Sequence, residues 1–313
     1  MLRRILLTSA GAMALTGAAL AADLRPPPLP VYVPPPSWTG FYAGLNAGGT
    51  WSGVKSQDTV SSVVTDNGVI PGLASTSAAL ATASVPLHPT AAFIGGGQLG
   101  YNYQFYNSFI AGFEADIQGT SSDFRAQGVF SQATVAPGVG LASDIASSQS
   151  TDWLGTVRGR LGFLFTPTLL IYGTGGFAYG QTNAITYITQ FVTGSSTLPN
   201  AYSSAYPCFN SATPPATVQC ARYSNTGTGW TAGGGLEWLF MPNWSFKVEY
   251  LYYNLGSVTY NPGALFNNTA AGALATWVNP ITKASFNGNI VRVGVNYHFF
   301  SWPPVVAPVV AKY

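Results

Sequence analysis

The amino-acid sequence predicts an all-β fold: a membrane-spanning, antiparallel up-and-down β-barrel of eight strands, with four long extracellular loops and short periplasmic turns. Three observations point there. Long runs alternate apolar and polar residues with period two, as strands with two unlike faces must. The connections between those runs alternate between very short and very long, as the two rims of a membrane barrel do. Finally, only 7% of the 313 residues are charged while 47% are hydrophobic, against roughly 25% charged in an ordinary soluble domain. An ion-studded water-facing surface is therefore ruled out, and so is disorder, because the chain carries 8 Trp, 17 Tyr and 18 Phe and disordered chains are polar and poor in aromatics.

The first element is a leader. Arg3-Arg4 precede an apolar run from Ile5 to Leu20 that ends in Ala19-Leu20-Ala21, the charged start, apolar middle and small-residue end of a signal peptide over 1–21. A transmembrane anchor would need about 20 spanning residues and a following stop-transfer charge cluster, and neither is present. Residues 22–37 hold Pro26-Pro27-Pro28, Pro30 and Pro34-Pro35-Pro36; they favour polyproline II and deny a sheet its donors, so they read as a periplasmic spacer. The barrel is assigned to 38–300. A tail containing Pro303, Pro304 and Pro308 follows over 301–313.

Within the barrel, strands are expected near 39–51, 91–105, 108–118, 152–165, 168–184, 229–240, 243–254 and 289–300. Phe93, Gly97, Leu99, Tyr101, Tyr103 and Phe105 share one face of the second, opposite Gly96, Gln98, Gly100, Asn102 and Gln104. These runs exceed the five or six residues of a typical soluble strand and suit a tilted bilayer crossing of about nine to 11. Tyr106-Asn107, Thr166-Pro167 and Met241-Pro242-Asn243 supply short turns. The connections 52–90, 119–151, 185–228 and 255–288 are long and rich in Ser, Thr, Ala and Asn. Thr59 to Thr65 and Ile185 to Val192 are also strand-like, the latter as an extension above the membrane.

The few strand charges are Glu114, Asp116, Arg158, Arg160, Glu237, Lys247, Glu249 and Arg292. Each lies in the register opposite its strand's apolar face, and acids balance bases. A charge facing lipid at mid-bilayer would cost roughly 2–4 kcal/mol, whereas charges inside a narrow barrel need opposite partners; a lumenal charge network is expected. Inward glycines such as Gly100, Gly112, Gly235 and Gly294 would make room for the long side chains, since eight strands leave an interior only just wide enough to fill. Outward aromatics, among them Trp51, Trp153, Trp238, Trp244, Tyr252 and Tyr297, cluster toward strand ends as interfacial girdles do. A soluble barrel with an aromatic core is the alternative, but its outer face would need many more charges.

Trp38-Thr-Gly-Phe-Tyr-Ala-Gly44, Leu154-Gly-Thr-Val-Arg-Gly-Arg160, Tyr172-Gly-Thr-Gly-Gly-Phe-Ala-Tyr179, Gly229-Trp-Thr-Ala-Gly-Gly-Gly-Leu-Glu237, Lys247-Val-Glu-Tyr250 and Val291-Arg-Val-Gly-Val-Asn-Tyr297 carry a resemblance. With them the chain resembles the small outer-membrane immunogenic proteins, also described as opacity-type porin-like β-barrels. The resemblance implies a Gram-negative outer-membrane location, an eight-stranded barrel, surface-exposed loops and no catalytic residues. The last strand looks like an aromatic-ended insertion signal, marked by Tyr297 and Phe299, that the barrel assembly machinery recognises. Phe299 is not terminal: either insertion tolerates the tail, or the tail has a partner of its own at the cell wall.

Other motifs carry little chemistry. Gly95-Gly-Gly97-Gln-Leu-Gly100 and Gly173-Thr-Gly175-Gly-Phe-Ala178 match dinucleotide-binding spacings, but that mechanism needs a strand before and a helix after; both lie inside strand-period runs. No cofactor is expected. Two cysteines and two histidines are too few for a zinc site. Cys208 and Cys220, in the third long loop of an exported chain, suit a disulfide closing a short loop and contributing about 3 kcal/mol. His88 reads as a solvated loop histidine and His298 as a satisfied lumenal one. A net charge of +2 gives no basic field for nucleic acid. Outer-membrane lipid is the expected partner, with cell-wall or extracellular partners besides. Three functions compete: a structural and surface-exposed protein, non-catalytic, serving envelope integrity, surface interaction or as an antigen; a small-solute porin of low conductance; and a lipid-modifying barrel enzyme.

Overall fold

The computed structural model describes residues 36–68, 71–88, 91–125, 128–194, 217–268 and 274–299. Along the chain run β1 (Gly40–Ser52), β2 (Ser56–Asp66), the helix α1 (Leu73–Leu80), β3 (Ala83–Pro86), β4 (Ala92–Phe105), β5 (Phe109–Arg125), β6 (Val129–Ala136), β7 (Val139–Thr166), β8 (Leu169–Gly194), β9 (Thr217–Met241), β10 (Trp244–Tyr260), β11 (Leu265–Asn268) and β12 (Leu274–His298). Eight of these, β1, β4, β5, β7, β8, β9, β10 and β12, pair in that order, and β12 returns to β1 with Tyr42 opposite His298 and Trp51 opposite Asn289. All the pairings are antiparallel and the ring is closed. Closure satisfies the backbone donors and acceptors that an open sheet edge would expose to hydrocarbon.

At one rim the connections are tight. Tyr106 and Asn107 join β4 to β5 with φ of 47° and 60°, and Asn243 turns β9 into β10 with φ of 67°. Such left-handed backbone is what short hairpins require, and Asn adopts it readily. At the other rim the four connections are long, and the strands run further into them than expected. β7 begins at Val139, β8 continues to Gly194, β9 begins at Thr217 and β12 at Leu274, so most of the described part of these connections is strand. The 53–91 connection builds β2, α1 and β3, while β6 and β11 are short partners of β7 and β12. The strand-like stretches near 59–65 and 185–192 lie within β2 and β8. The physical reason for the discrepancy is that Ser and Thr line the inner face here, pairing through hydroxyls as Thr59 does with Thr282, and so leave little apolar alternation to read.

The faces are inverted relative to a soluble protein. Leu45, Leu99, Phe113, Ile117, Leu161, Phe165 and Trp238 are exposed on the outside, Leu161 at 69%, while the buried inner face carries Asn, Gln, Glu, Asp, Lys and Arg. Near the short turns, Trp244 meets Tyr297 and Tyr297 meets Phe299 edge to face at centroid distances of 5.2 and 5.1 Å. Toward the other rim, Trp153 meets Tyr179 and Trp230 meets Tyr252. Along β7 these two bands lie at Trp153 and Phe163. At about 3.3 Å per residue and a tilt near 40°, they are about 25 Å apart, the height of a membrane barrel's apolar belt.

The interior is packed in layers. Trp38, Ile110, Leu164, Leu170, Tyr172 and Leu239 close the short-turn end. Charged residues come next. Above them lies an apolar layer that includes Ile94, Leu154, Leu251, Tyr253, Leu255, Phe286 and Ile290, then a neutral polar layer, and last α1 with the apolar residues around it.

Candidate functional site

The structure gathers all eight of the charges expected to face inward into one cluster in the lumen. Adjacent strands bring Glu114 opposite Arg158, Lys247 opposite Glu237 and Glu249 opposite Arg292; the barrel's small diameter does the rest, carrying side chains across the lumen. Arg158 reaches Glu114, Asp116 and Glu249 at 2.6, 2.8 and 3.0 Å. Arg292 meets Glu249 at 2.6 Å and Asp116 at 2.9 Å. Lys247 bonds Glu114 at 2.8 Å, and Arg160 bonds Glu237 at 2.6 Å with Glu114 further off at 3.6 Å. Every member is buried. Four carboxylates and four cations cancel, which offsets the desolvation that an unpaired ion in this interior would suffer.

Neutral residues that the sequence did not single out complete the cluster. The Tyr42 hydroxyl donates to Glu114 at 2.7 Å and accepts from Arg160 Nη1 at 2.7 Å. Tyr172 donates to Glu249 at 3.0 Å, and its ring lies 4.0 Å from the Arg160 guanidinium carbon, a cation–π contact. Asn296 donates to Glu237 at 2.7 Å, and Gln98 links Asn296 to Asn46. Their inward register was the available signal; polarity without charge made them easy to pass over. The inward glycines have a steric role. A Cβ on Gly100 would stand 2.3 Å from the Tyr42 ring, and one on Gly235 would stand 2.8 Å from the Tyr172 hydroxyl oxygen.

Trp38 seals the short-turn end below this layer. It is fully buried, donates through Nε1 to the Pro167 carbonyl at 3.0 Å, and donates its backbone N–H to Gln104 at 2.8 Å. Its ring meets His298 edge-on at 5.5 Å. His298 is itself buried, as is Ser245. The Ser245 oxygen lies 2.9 Å from His298 Nε2 and 2.6 Å from Glu237 Oε1, and that same Nε2 lies 3.2 Å from Glu237. Serine, histidine and carboxylate are thus neighbours, yet serine and carboxylate address one nitrogen. A nucleophilic triad needs them on opposite ring nitrogens, which is not the geometry of these contacts.

Tyr297 and Phe299 lie on the outer surface where β12 ends, and the Phe299 N–H donates to the Phe41 carbonyl at 2.8 Å. His88 is exposed beside Leu87. Cys220 lies in β9 opposite Tyr187, whereas Cys208 lies outside the described residues, as do the leader, nearly all of the spacer and the tail. Both glycine-rich stretches lie within strands, β4 and β8, so neither opens a helix. Among the described residues no cluster of His, Cys, Asp and Glu has the makings of a metal site, and no helix is long and apolar enough to cross a membrane.

Comparison with known proteins places this geometry. The outer membrane protein beta-barrel domain matches residues 7–299. The 31 kDa outer-membrane immunogenic proteins of Brucella melitensis biotype 1 and Brucella suis biovar 1 are each 32% identical over 305 residues, covering 95% of this chain and 100% of theirs. Ail, the attachment invasion locus protein of Yersinia pestis, aligns with 81% of this chain and 99% of its own at 13% identity and a TM-score of 0.28. The match over nearly the whole chain and the full-length relatives agree with the closed ring, the lipid-facing exterior and the ion-filled lumen: the chain belongs to the outer-membrane β-barrel family and resides in the outer membrane of a Gram-negative cell.

Proposed function

We propose that the protein is a sealed, non-catalytic barrel that supports the envelope and holds a folded surface-exposed portion toward the exterior, where it serves surface interaction and as an antigen. One observation carries this reading: the eight-charge cluster, with Trp38 beneath it and an apolar layer above it, occupies the lumen at membrane depth. An eight-stranded barrel has little interior to spare beyond its own side chains. The printed name of the Brucella relatives, outer-membrane immunogenic proteins, supports the antigen role. Uptake of small uncharged sugars into protein-loaded liposomes tests the seal. Swelling no faster than in empty liposomes is expected, and rapid swelling would favour the porin alternative. Against a lipid-modifying enzyme stands the Ser245–His298–Glu237 arrangement, whose serine is fully buried; an altered lipid profile on deletion of the gene would revive it.

A further inference from the structure

Above the apolar layer the inner face changes character. Gln57, Thr59, Ser147, Gln149, Thr186, Gln190 and Thr282 are all buried there, and among the described residues no charged side chain joins them. Gln57, delivered by β2, donates to Thr186 at 3.0 Å and to Tyr260 at 2.6 Å, and accepts from Gln149 at 3.1 Å. Tyr260 stacks on Tyr223 at 6.1 Å. Folding does not demand such a lining, because an apolar interior would serve a sheet outside the membrane as well, and a neutral buried hydrogen bond contributes little net stability. Amides, hydroxyls and an aromatic face without charge are the chemistry that recognises uncharged polyhydroxyl compounds.

α1 lies over this polar layer. It packs among β2, β6, β7 and β12 and buries Leu73, Ala74, Ser77 and Ala78. One reciprocal pair fastens it: Ser77 donates its hydroxyl to Gln190 at 2.7 Å, and Gln190 returns its amide N–H to the Ser77 carbonyl at 2.9 Å. The helix is short, has no side-chain N-cap and no acidic residue in its first turn, so its structure depends on the surface beneath it. Facing the same end of the lumen, Ser143 is fully buried and its hydroxyl meets no hydrogen-bonding group among the described residues, a donor and acceptor left for something else.

We propose that α1 is a lid and that the layer beneath it is a binding chamber for an uncharged saccharide, occupied in the closed state by Gln57 of the chain itself. When α1 lifts together with β2, whose ladder to β12 over Asp58 to Asp66 then parts, Gln57 and Thr59 leave with it, and Gln149, Ser147, Thr186, Gln190, Thr282 and Tyr260 remain to receive hydroxyls. The charged layer and Trp38 lie below and stay in place, so opening the lid admits a ligand without opening a pore.

Two measurements on the full-length protein in lipid nanodiscs test this. Hydrogen exchange is expected to be at least 100-fold faster at the amides of α1 than at those of β8 around Thr186 and Ile188; equal protection would overturn the lid. Maltohexaose is the binding probe. Leu73→Ala/Ser77→Ala, which alters the lid and spares the lining, is expected to bind it at least tenfold more tightly than the unaltered chain. A Leu80→Cys/Ser131→Cys variant, which ties the lid to β6 where the Ser131 hydroxyl reaches the Leu80 carbonyl at 3.4 Å and leaves the lining intact, is expected, once joined by a short bifunctional thiol reagent, to lose the binding that the same variant shows unjoined. Absence of binding to the loosened variant while it retains the heat-modifiable mobility of a folded barrel would overturn the chamber, as would binding indifferent to the crosslink.

Discussion

Arg158 holds three carboxylates at once, those of Glu114, Asp116 and Glu249, so its removal leaves more than a gap. Breaking a buried ion pair from one side strands uncompensated charge and costs about 3–5 kcal/mol, whereas replacing a whole network by apolar residues can be neutral. Arg158→Leu is therefore expected to lower stability by about that amount in a urea titration of folded barrel in lipid; an unchanged or raised midpoint would contradict the network's place in the fold. Gly100→Ala is a steric counterpart. Its new methyl meets the Tyr42 ring and pushes that residue off both Glu114 and Arg160, at a cost of about 1–3 kcal/mol. A change under about 0.5 kcal/mol would show that the ring yields freely. Each charged member of the cluster was legible in the sequence, because period-two register assigns a face to every strand residue. Which acid meets which base was not, since pairs such as Arg160 with Glu237 span the lumen between strands far apart in sequence.

At the scale of elements, legibility followed contrast between faces. The bilayer-crossing segments pair leucine and phenylalanine with glycine and charge, so eight strands and three tight turns could be read directly. β6 and the upper parts of β7 and β12 set Ser and Thr against Ala and Val; their alternation is shallow, and their pairing is fixed by neighbours the sequence does not reveal. α1 is unreadable for another reason: Leu-Ala-Ser-Thr-Ser-Ala-Ala-Leu has little helical stripe and no cap, and is helical because of what it lies on. The end of β12 supports a prediction of its own. Tyr297 lies against Trp244 and Phe299, and Phe299 is tied to Phe41, so the aromatic strand end is complete before Ser301. Deleting Ser301–Tyr313 is expected to leave the amount of membrane-inserted protein within about twofold of normal, while Tyr297→Ala/Phe299→Ala is expected to reduce it several-fold. The reverse pattern would give the tail the part assigned here to the strand end.

The scarcity of charge takes on a physical meaning at the level of the whole molecule. A barrel whose belt faces lipid for about 25 Å has no use for ions on that surface, and the eight that its bilayer-crossing segments carry are turned inward as a neutral set. Beyond the upper aromatic band, β8 continues from Tyr179 to Gly194, about 38 Å of further strand after tilt. The same sheet that crosses the membrane thus builds the surface-exposed part, with α1 filling its mouth. A lumen packed in alternating polar and apolar layers is what the proposal of a sealed barrel rests on. Single-channel recording in planar bilayers puts this most directly to the test. With the purified barrel inserted, current is expected to stay at baseline apart from small, brief events; large, long-lived open steps would contradict the filled lumen and the function drawn from it.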